Sequence, residues 1–150
     1  MKYSTRLADA VHIMVFVHLA DQTTLTSTEI ATSIQTNPAY VRQLMAKMKA
    51  AGLIESARGQ ARPSLGREPE AITLLDVYRA MEGDKPLLHL DTHTNPECHV
   101  GVYIQHALQD YYNQVQRDAE ASMSAITLAD VVATFRRKSA LAEKAQAQKA

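Results

Sequence analysis

Cysteine, tryptophan, glycine and proline are all scarce in this chain of 150 residues, which has one Cys, no Trp, five Gly and five Pro. A single thiol cannot form an internal disulfide or fill a structural zinc site, so a disulfide-built secreted scaffold is disfavoured. No apolar run of the sequence approaches the roughly 18 residues that a membrane-spanning helix requires. We therefore expect a cytoplasmic protein that does not enter a membrane.

Net charge is also absent, because 16 Lys and Arg residues balance 16 Asp and Glu residues. Neither a globally basic coat nor an acidic tail is available to select a partner, so any charge signal must be local. The length and the 46% hydrophobic content suit one domain with its own core. The abundance of Ala, Leu, Gln, Glu and Lys indicates a mainly α-helical fold.

Helix starts are marked by capping patterns, in which a threonine precedes an acidic residue by three positions. Thr26, Thr73 and Thr127 begin such patterns. They predict a short helix to about Ile34, a helix that ends before Gly83, and a last helix that frays toward the C-terminus.

Two Asn-Pro pairs mark further helix starts, because asparagine caps a helix and proline favours its first position. Asn37–Pro38 predicts a helix over residues 38–51, which Gly52 ends. Asn95–Pro96 predicts a long helix that runs to about Met123.

The helix after Asn95 carries an apolar stripe whose members recur at steps of four, four, three and four residues. A helix of about 27 residues is about 40 Å long, which exceeds what a domain of this size needs. The stripe therefore predicts contact with a partner helix, although a helix covered by its own chain would show the same pattern. Its members are Val100, Ile104, Leu108, Tyr111 and Val115.

The segment between Gly52 and Thr73 contains glycine and proline at turn positions and predicts a β-hairpin. A helix, a short capped helix, a three-residue turn at 35–37, a second helix and this hairpin then follow one another. That order is typical of a winged helix-turn-helix, whose second helix enters the major groove of DNA. The predicted fold is mainly α, with a small β-hairpin wing and a long dimerisation helix.

Charge is segregated within the neutral chain. Residues 35–67 contain six basic residues and one acidic residue, Glu55, so this segment carries a net charge of +5. A basic segment of this kind indicates contact with DNA phosphates and salt-sensitive binding. A solvated helix face would also carry basic residues, but the basic hairpin beside the helix favours DNA.

Two runs, STEIATSIQTNPAYVRQLMAKMKAAGLIESARGQ and LGREPEAITLLDVYRAMEG, resemble the Rrf2 family of bacterial transcription regulators. The resemblance extends over about residues 1–125. It implies a homodimer, joined through the long helix, that binds palindromic operators in double-stranded DNA and usually acts as a repressor. The matching positions are Tyr40, Gln43–Leu44, Gly52–Leu53, Arg58–Gly59 and the Ile-Thr-Leu run at 72–74.

The resemblance divides the chain into four segments. They are a winged helix-turn-helix DNA-binding domain over 1–83, a regulatory loop over 84–98, a dimerisation helix over 99–125, and a C-terminal helix and tail over 126–150.

We expect DNA contacts from eight polar side chains of the two helices and the wing. Arg42 suits guanine or a phosphate, Gln43 suits adenine, and the wing arginines suit a narrow minor groove. The wing departs from the family pattern, since QARPSL replaces the usual Gly-Gly-Tyr run. The expected contacts are Thr28, Tyr40, Arg42, Gln43, Lys47, Arg58, Gln60 and Arg62.

The sensor region is the second departure. Family members that bind an iron–sulfur cluster place three cysteines in the loop and the long helix, whereas this chain has only Cys98. One thiolate per subunit does not reproduce that ligation, so no cofactor is expected. Cys98 lies near a predicted helix start with His99 beside it, which favours a reactive thiolate and a redox or small-molecule response. An inert cysteine is the alternative.

Four histidines, at positions 89, 93, 99 and 106, surround Cys98 in the sequence, but their spacings match no standard metal motif. A metal site is therefore not assigned.

Two other classes of function compete with DNA binding. A winged-helix module for protein–protein interaction without DNA binding would have the same element order. An enzyme is disfavoured, because the sequence has no Ser-His-Asp arrangement, phosphate-binding glycine loop or HExxH motif.

Overall fold

The computed structural model describes residues 4–20, 24–56 and 62–150 of the chain. In these ranges the prediction of a mainly helical fold with a small β-hairpin is confirmed. The elements in chain order are α1 (Arg6–Leu19), α2 (Ser27–Ile34), α3 (Pro38–Ala50), β1 (Ile54–Glu55), β2 (Ser64–Leu65), a short 3-10 turn (Pro69–Ala71), α4 (Leu74–Glu82), α5 (His99–Ser124) and α6 (Leu128–Lys149).

All three threonine capping patterns form helix caps. At the start of α2 the Glu29 amide donates to Thr26 Oγ1 at 3.3 Å, and the Thr26 amide donates to the Glu29 carboxylate at 2.7 Å. The bond from the Thr26 amide lowers the pKa of Glu29, and the Thr127 amide lowers the pKa of Asp130 in the same way at the start of α6. These two caps are therefore complete at neutral pH and weaken as pH falls through the lowered pKa of each carboxyl group.

The joint between α2 and α3 has the predicted three-residue length. Gln35 ends α2 in the left-handed region with φ of 58°, and the Tyr40 amide donates to the Asn37 side chain at 2.8 Å. The cap and the proline at the first helical position explain why α3 begins at Pro38.

The hairpin is short and antiparallel, with Ile54 opposite Leu65 and Glu55 opposite Ser64. Its second strand turns back against the end of α3, where the Gly66 amide donates to the Leu53 carbonyl oxygen at 2.9 Å. A side chain at Gly66 would collide with the backbone of Gly52, which explains the glycine. Residues 57–61 of the predicted hairpin lie outside the described residues.

One hydrophobic core joins α1, α2, α3, the hairpin, α4 and the start of α6. Val41, Leu44, Met45 and Met48, which the sequence spaces at steps of three, one and three, form the apolar face of α3, with Met45 half-buried at its edge. The core is built from Ala10, Ile13, Met14, Val17, Leu25, Ile30, Ala31, Val41, Leu44, Met48, Leu53, Ile54, Ile72, Val77, Met81, Leu128 and Val132.

The last helix joins this core through a backbone link that the sequence did not reveal. Thr73 and Thr127, each of which caps a helix, pair in an isolated antiparallel bridge. The Leu74 amide donates to Ile126 and the Leu128 amide donates to Ile72, both at 2.8 Å. The starts of α4 and α6 are therefore fastened side by side.

A polar contact fixes α3 on α1. The Tyr40 hydroxyl donates to the Asp9 carboxylate at 2.9 Å from a half-buried position. Desolvation raises the pKa of Tyr40 above its ordinary value, and the hydrogen bond to Asp9 raises it further.

The long helix begins at His99, the start of the predicted dimerisation segment, and later than the Asn95–Pro96 pair predicts. Pro96 lies in a turn, in which the Glu97 amide donates to the Asn95 side chain at 3.0 Å, and α5 starts at His99. The Asn-Pro pair therefore caps a turn that leads into the helix. None of the helices within the described ranges combines the length and hydrophobicity that crossing a membrane requires.

The position of α6 on the core predicts unequal effects for two leucines of that helix. Leu128 is 3% exposed and Leu141 is 61% exposed. Leu128→Ala should lower the free energy of unfolding by about 2–5 kcal/mol, because it leaves a cavity, whereas Leu141→Ala should change it by less than about 0.5 kcal/mol. Urea unfolding at one fixed protein concentration measures both values, and equal effects would contradict the docking of α6.

The contact between Tyr40 and Asp9 predicts a titration difference. The pKa of Tyr40 is raised in the folded state, so the protonated phenol stabilises the fold at neutral pH. This stabilisation is lost as pH rises through the raised pKa. Tyr40→Phe should therefore remove the tyrosinate absorbance change of one tyrosine that titrates above the ordinary pKa of a phenol. Asp9→Asn should move the same change toward neutral pH, and an unchanged titration in Tyr40→Phe would refute the assignment.

Candidate nucleic-acid interface

The solvent side of α3 is a row of three alanines and one glutamine. Val41, Leu44 and Met48 are buried, and the opposite side of the helix is exposed. Residues at steps of four, three and four lie along one helix face, and the exposed row follows these steps. We call it the alanine–glutamine row, and its members are Ala39, Gln43, Ala46 and Ala50.

This composition allows a close approach to a surface. Alanine methyl groups add little bulk beyond the backbone, and they suit contact with thymine methyl groups. Gln43 is the one polar side chain of the row, and its amide both donates and accepts. Gln43 was predicted from the sequence as a DNA contact. The three alanines were not, although burial of the opposite face would have identified them.

Arg42 and Lys49 lie between the row and the buried face. The Arg42 guanidinium donates to Ser27 Oγ at 3.3 Å, which places it beside the first turn of α2 and the exposed Thr28. The Lys49 ammonium donates to the backbone and the side chain of Ser56, both at 3.1 Å, at the base of the wing. Arg42 and Lys49 therefore lie on one side of α3, one near each end, which suits contact with the phosphates of a duplex backbone.

Three expected DNA contacts are held by the protein itself. The Tyr40 hydroxyl is bonded to Asp9, as described above. The Lys47 ammonium donates to the Met81 carbonyl oxygen at 3.2 Å, and the Arg62 guanidinium donates to the Val17 carbonyl oxygen at 3.0 Å. Contact with DNA stays a prediction for these three.

The two carbonyls belong to the last turns of α4 and α1, where helix carbonyls lack partners within the helix. Lys47 and Arg62 therefore cap two helix C-termini, at which a positive charge is favourable. Sequence reasoning counted both as free cations, because it could not show which helix ends would come near. Arg58 and Gln60 lie outside the described residues.

The apolar stripe of α5 faces solvent. Val100 is 68% exposed and Tyr111 is 66% exposed, Ile104 and Val115 are also exposed, and Leu108 is half-buried. None of the 26 residues of α5, all of which are described, is buried. The alternative that the chain covers this stripe itself is therefore wrong.

Cys98 is exposed and lies at the N-cap position of α5, one residue before the helix begins. It was expected within the first turn, and the later helix start accounts for the difference. The ring of the neighbouring His99 packs on Tyr103 with a centroid distance of 4.9 Å. Within the described ranges no three His, Cys, Asp or Glu side chains are grouped so that they could hold a metal ion.

Comparisons with known proteins agree with this geometry. The family model Rrf2, described as "Iron-dependent Transcriptional regulator", matches residues 3–134. A Bacillus subtilis (strain 168) relative, "Putative HTH-type transcriptional regulator YwnA", is 36% identical over 129 residues, which cover 86% of this chain and 96% of the relative.

Solved structures show the same architecture. The crystal structure of a "putative DNA binding protein" is 36% identical, with a TM-score of 0.69 over 84% of this chain and 97% of that protein. The structure of T. potens IscR is 26% identical, with a TM-score of 0.64 over 90% of this chain and 88% of that protein. The sequence resemblance is thus confirmed, and the chain belongs to the Rrf2 family of transcriptional regulators.

Proposed function

We propose that this regulator is a homodimeric repressor that binds a palindromic operator in duplex DNA, and that it acts in the cytoplasm, where chromosomal DNA is. The observation that carries the proposal is the alanine–glutamine row, which is exposed on the second helix of a helix-turn-helix and lies beside Arg42 and Lys49.

In this proposal α3 enters the major groove, which is about 12 Å wide and admits one helix. Gln43 pairs with the exposed edge of an adenine, and Ala39 and Ala46 contact thymine methyl groups. Arg42 of α3 and Thr28, which lies at the start of α2, bind the phosphates on one side of the groove. Lys49 binds phosphate near the wing.

The wing is expected to complete the contact, with Arg58, Gln60 and Arg62 as candidate residues. Arg62 would have to leave the end of α1 in order to reach DNA, since its guanidinium is bonded there in the free chain. Lys47 and Tyr40 would affect DNA binding indirectly, by fixing the position of α3, unless they exchange Met81 and Asp9 for DNA on binding.

The exposed stripe of α5 supports the dimer. Apolar side chains that recur along one face of a long helix are stabilised by a second copy of the same face. A twofold axis between two such helices presents α3 twice, so each half of a palindrome meets one copy. A regulator bound in this way represses by occupying DNA that polymerase needs.

We also propose that the protein senses a redox or small-molecule signal near Cys98. The thiol is exposed at the N-cap of the helix that carries the dimer stripe, so its oxidation or modification would alter the start of that helix. His99 and the loop before it are the neighbouring candidates for a small-molecule effector.

Iron is named in the description of the family, but the donors of this chain do not fit it. The chain has one cysteine, and within the described ranges it does not bring three His, Cys, Asp or Glu side chains together. An iron–sulfur cluster needs several thiolates. We therefore derive no role for iron in this protein.

DNA readout predicts different defects for neighbouring residues. Gln43→Ala should weaken binding to an operator selected from random duplexes by about 10- to 100-fold, and it should leave binding to unrelated duplexes unchanged. Arg42→Ala should weaken binding to every duplex. It should also reduce the slope of log K against log salt concentration by about one, as expected for the loss of one phosphate contact. Fluorescence anisotropy over a range of salt concentrations measures both effects.

Gln114→Ala and Arg137→Ala are matched controls, because both side chains are exposed on helices outside the proposed interface. Neither should alter DNA binding. If the wild-type protein binds no duplex and instead captures a protein partner, the winged-helix interaction module is the correct function.

The stripe predicts the oligomeric state. The wild-type chain should sediment as a dimer at micromolar concentration, and the double variant Ile104→Asp, Tyr111→Asp should sediment as a monomer, because two buried carboxylates would face their copies. Leu141→Asp, which places the same charge at an exposed leucine of α6, should remain dimeric. A monomeric wild-type protein would refute the dimer.

A further inference from the structure

A cleft of about 620 Å³ lies where the DNA-binding domain, the loop after α4 and the second half of α5 meet. Its volume falls within the range of about 300–1,000 Å³ that is usual for small-molecule sites. Apolar groups form most of its wall, and they come from all of these segments. They include Leu7, the ring of Tyr78, Pro86, Leu87, Ala119 and Met123.

The charges at the cleft favour an anion. Glu82 is the one carboxylate on the described wall, and it already accepts a hydrogen bond from Ser4 at 2.5 Å and faces Arg6 at 3.9 Å. Lys85 and His89 also line the cleft, and their side chains have no hydrogen bond or ion pair among the described residues. The charged groups of the described wall that have no partner are therefore basic, while the acidic group is already paired.

The loop is held over the cleft by contacts that lead back to the DNA-binding domain. The Leu87 amide donates to the Gln116 side chain at 2.9 Å, and the Gln116 amide group donates to Glu120 at 2.9 Å. Glu120 in turn pairs with Arg79 of α4 at 3.4 Å. One chain of polar contacts thus links the loop, α5 and α4.

We propose that this cleft binds a small monocarboxylate with an apolar body, such as an arylalkanoate. Its apolar part packs on Met123, Ala119 and Leu87, and its carboxylate meets Lys85 and His89. A ligand bound in the cleft changes the position of the loop relative to Gln116, to which the Leu87 amide is bonded. The angle between α4 and α5 changes as a result. Because α5 carries the proposed dimer contact, the spacing of the two α3 helices changes with it.

The effect on DNA rests on the proposed function, but occupancy of the cleft does not. Binding is therefore measured first without DNA, by titration calorimetry and thermal unfolding of the full chain. The probes are 4-phenylbutyrate, 4-phenylbutylamine and 4-phenylbutanol, which share one body and differ in head group. We expect one phenylbutyrate per chain, weaker binding of the alcohol, and no binding of the amine.

Two variants locate the site. Ala119→Phe should abolish phenylbutyrate binding by filling the cleft, and Lys85→Gln should weaken it by about three- to fivefold, as expected for loss of one exposed charge contact. Lys138→Gln removes a lysine from the separate apolar groove along α6 and should have no effect. If Ala119→Phe fails to fold, Ser122→Phe at the same wall replaces it.

Equal binding of acid and amine, or binding that neither cleft-filling variant alters, would overturn the proposal. Binding to the monomeric stripe variant but not to the dimer would assign the cleft to the second copy and would also overturn it. Operator affinity is measured separately with and without phenylbutyrate. An unchanged affinity would refute the link to DNA, whereas failure of the wild-type protein to bind DNA would leave the calorimetric result on the cleft intact.

Discussion

Burial of one face of α3 is the constraint on which the rest of this structure depends. Val41, Leu44 and Met48 enter the core, and complete burial of such side chains stabilises a fold by about 1.5–3 kcal/mol each. Burial fixes the rotation of the helix about its axis, so Gln43 and the alanines beside it face outward. The surface that we propose to read DNA is therefore exposed because the opposite face of α3 is buried.

Positive charge has two roles in this molecule. Lys47 and Arg62 are bonded to carbonyls in the last turns of α4 and α1, and they tie α3 and the hairpin to their neighbours. Arg42 and Lys49 are bonded only to exposed groups at the edge of the same surface. A net charge of +5 over this segment therefore overstates the number of cations that are free to meet phosphate.

The long helix α5 also has two roles, on two different faces. Its stripe from Val100 to Val115 is exposed, which suits a second copy of the chain. Gln116 and Glu120 face the loop and α4, where polar contacts connect them to the DNA-binding domain. The proposed dimer contact and the contact with α4 are thereby combined in one helix, which suits a regulator that must couple the two.

The sequence by itself determined the features that depend on neighbours within about four positions. The three threonine caps, the Asn37 cap and the step-of-three pattern of α3 belong to this group, because a cap or a helix face needs only local partners. Tertiary structure decided which distant groups meet. The bridge between Thr73 and Thr127, the burial of Leu128, the bond from Lys47 to Met81 and the start of α5 at His99 all depend on segments whose packing no local pattern encodes.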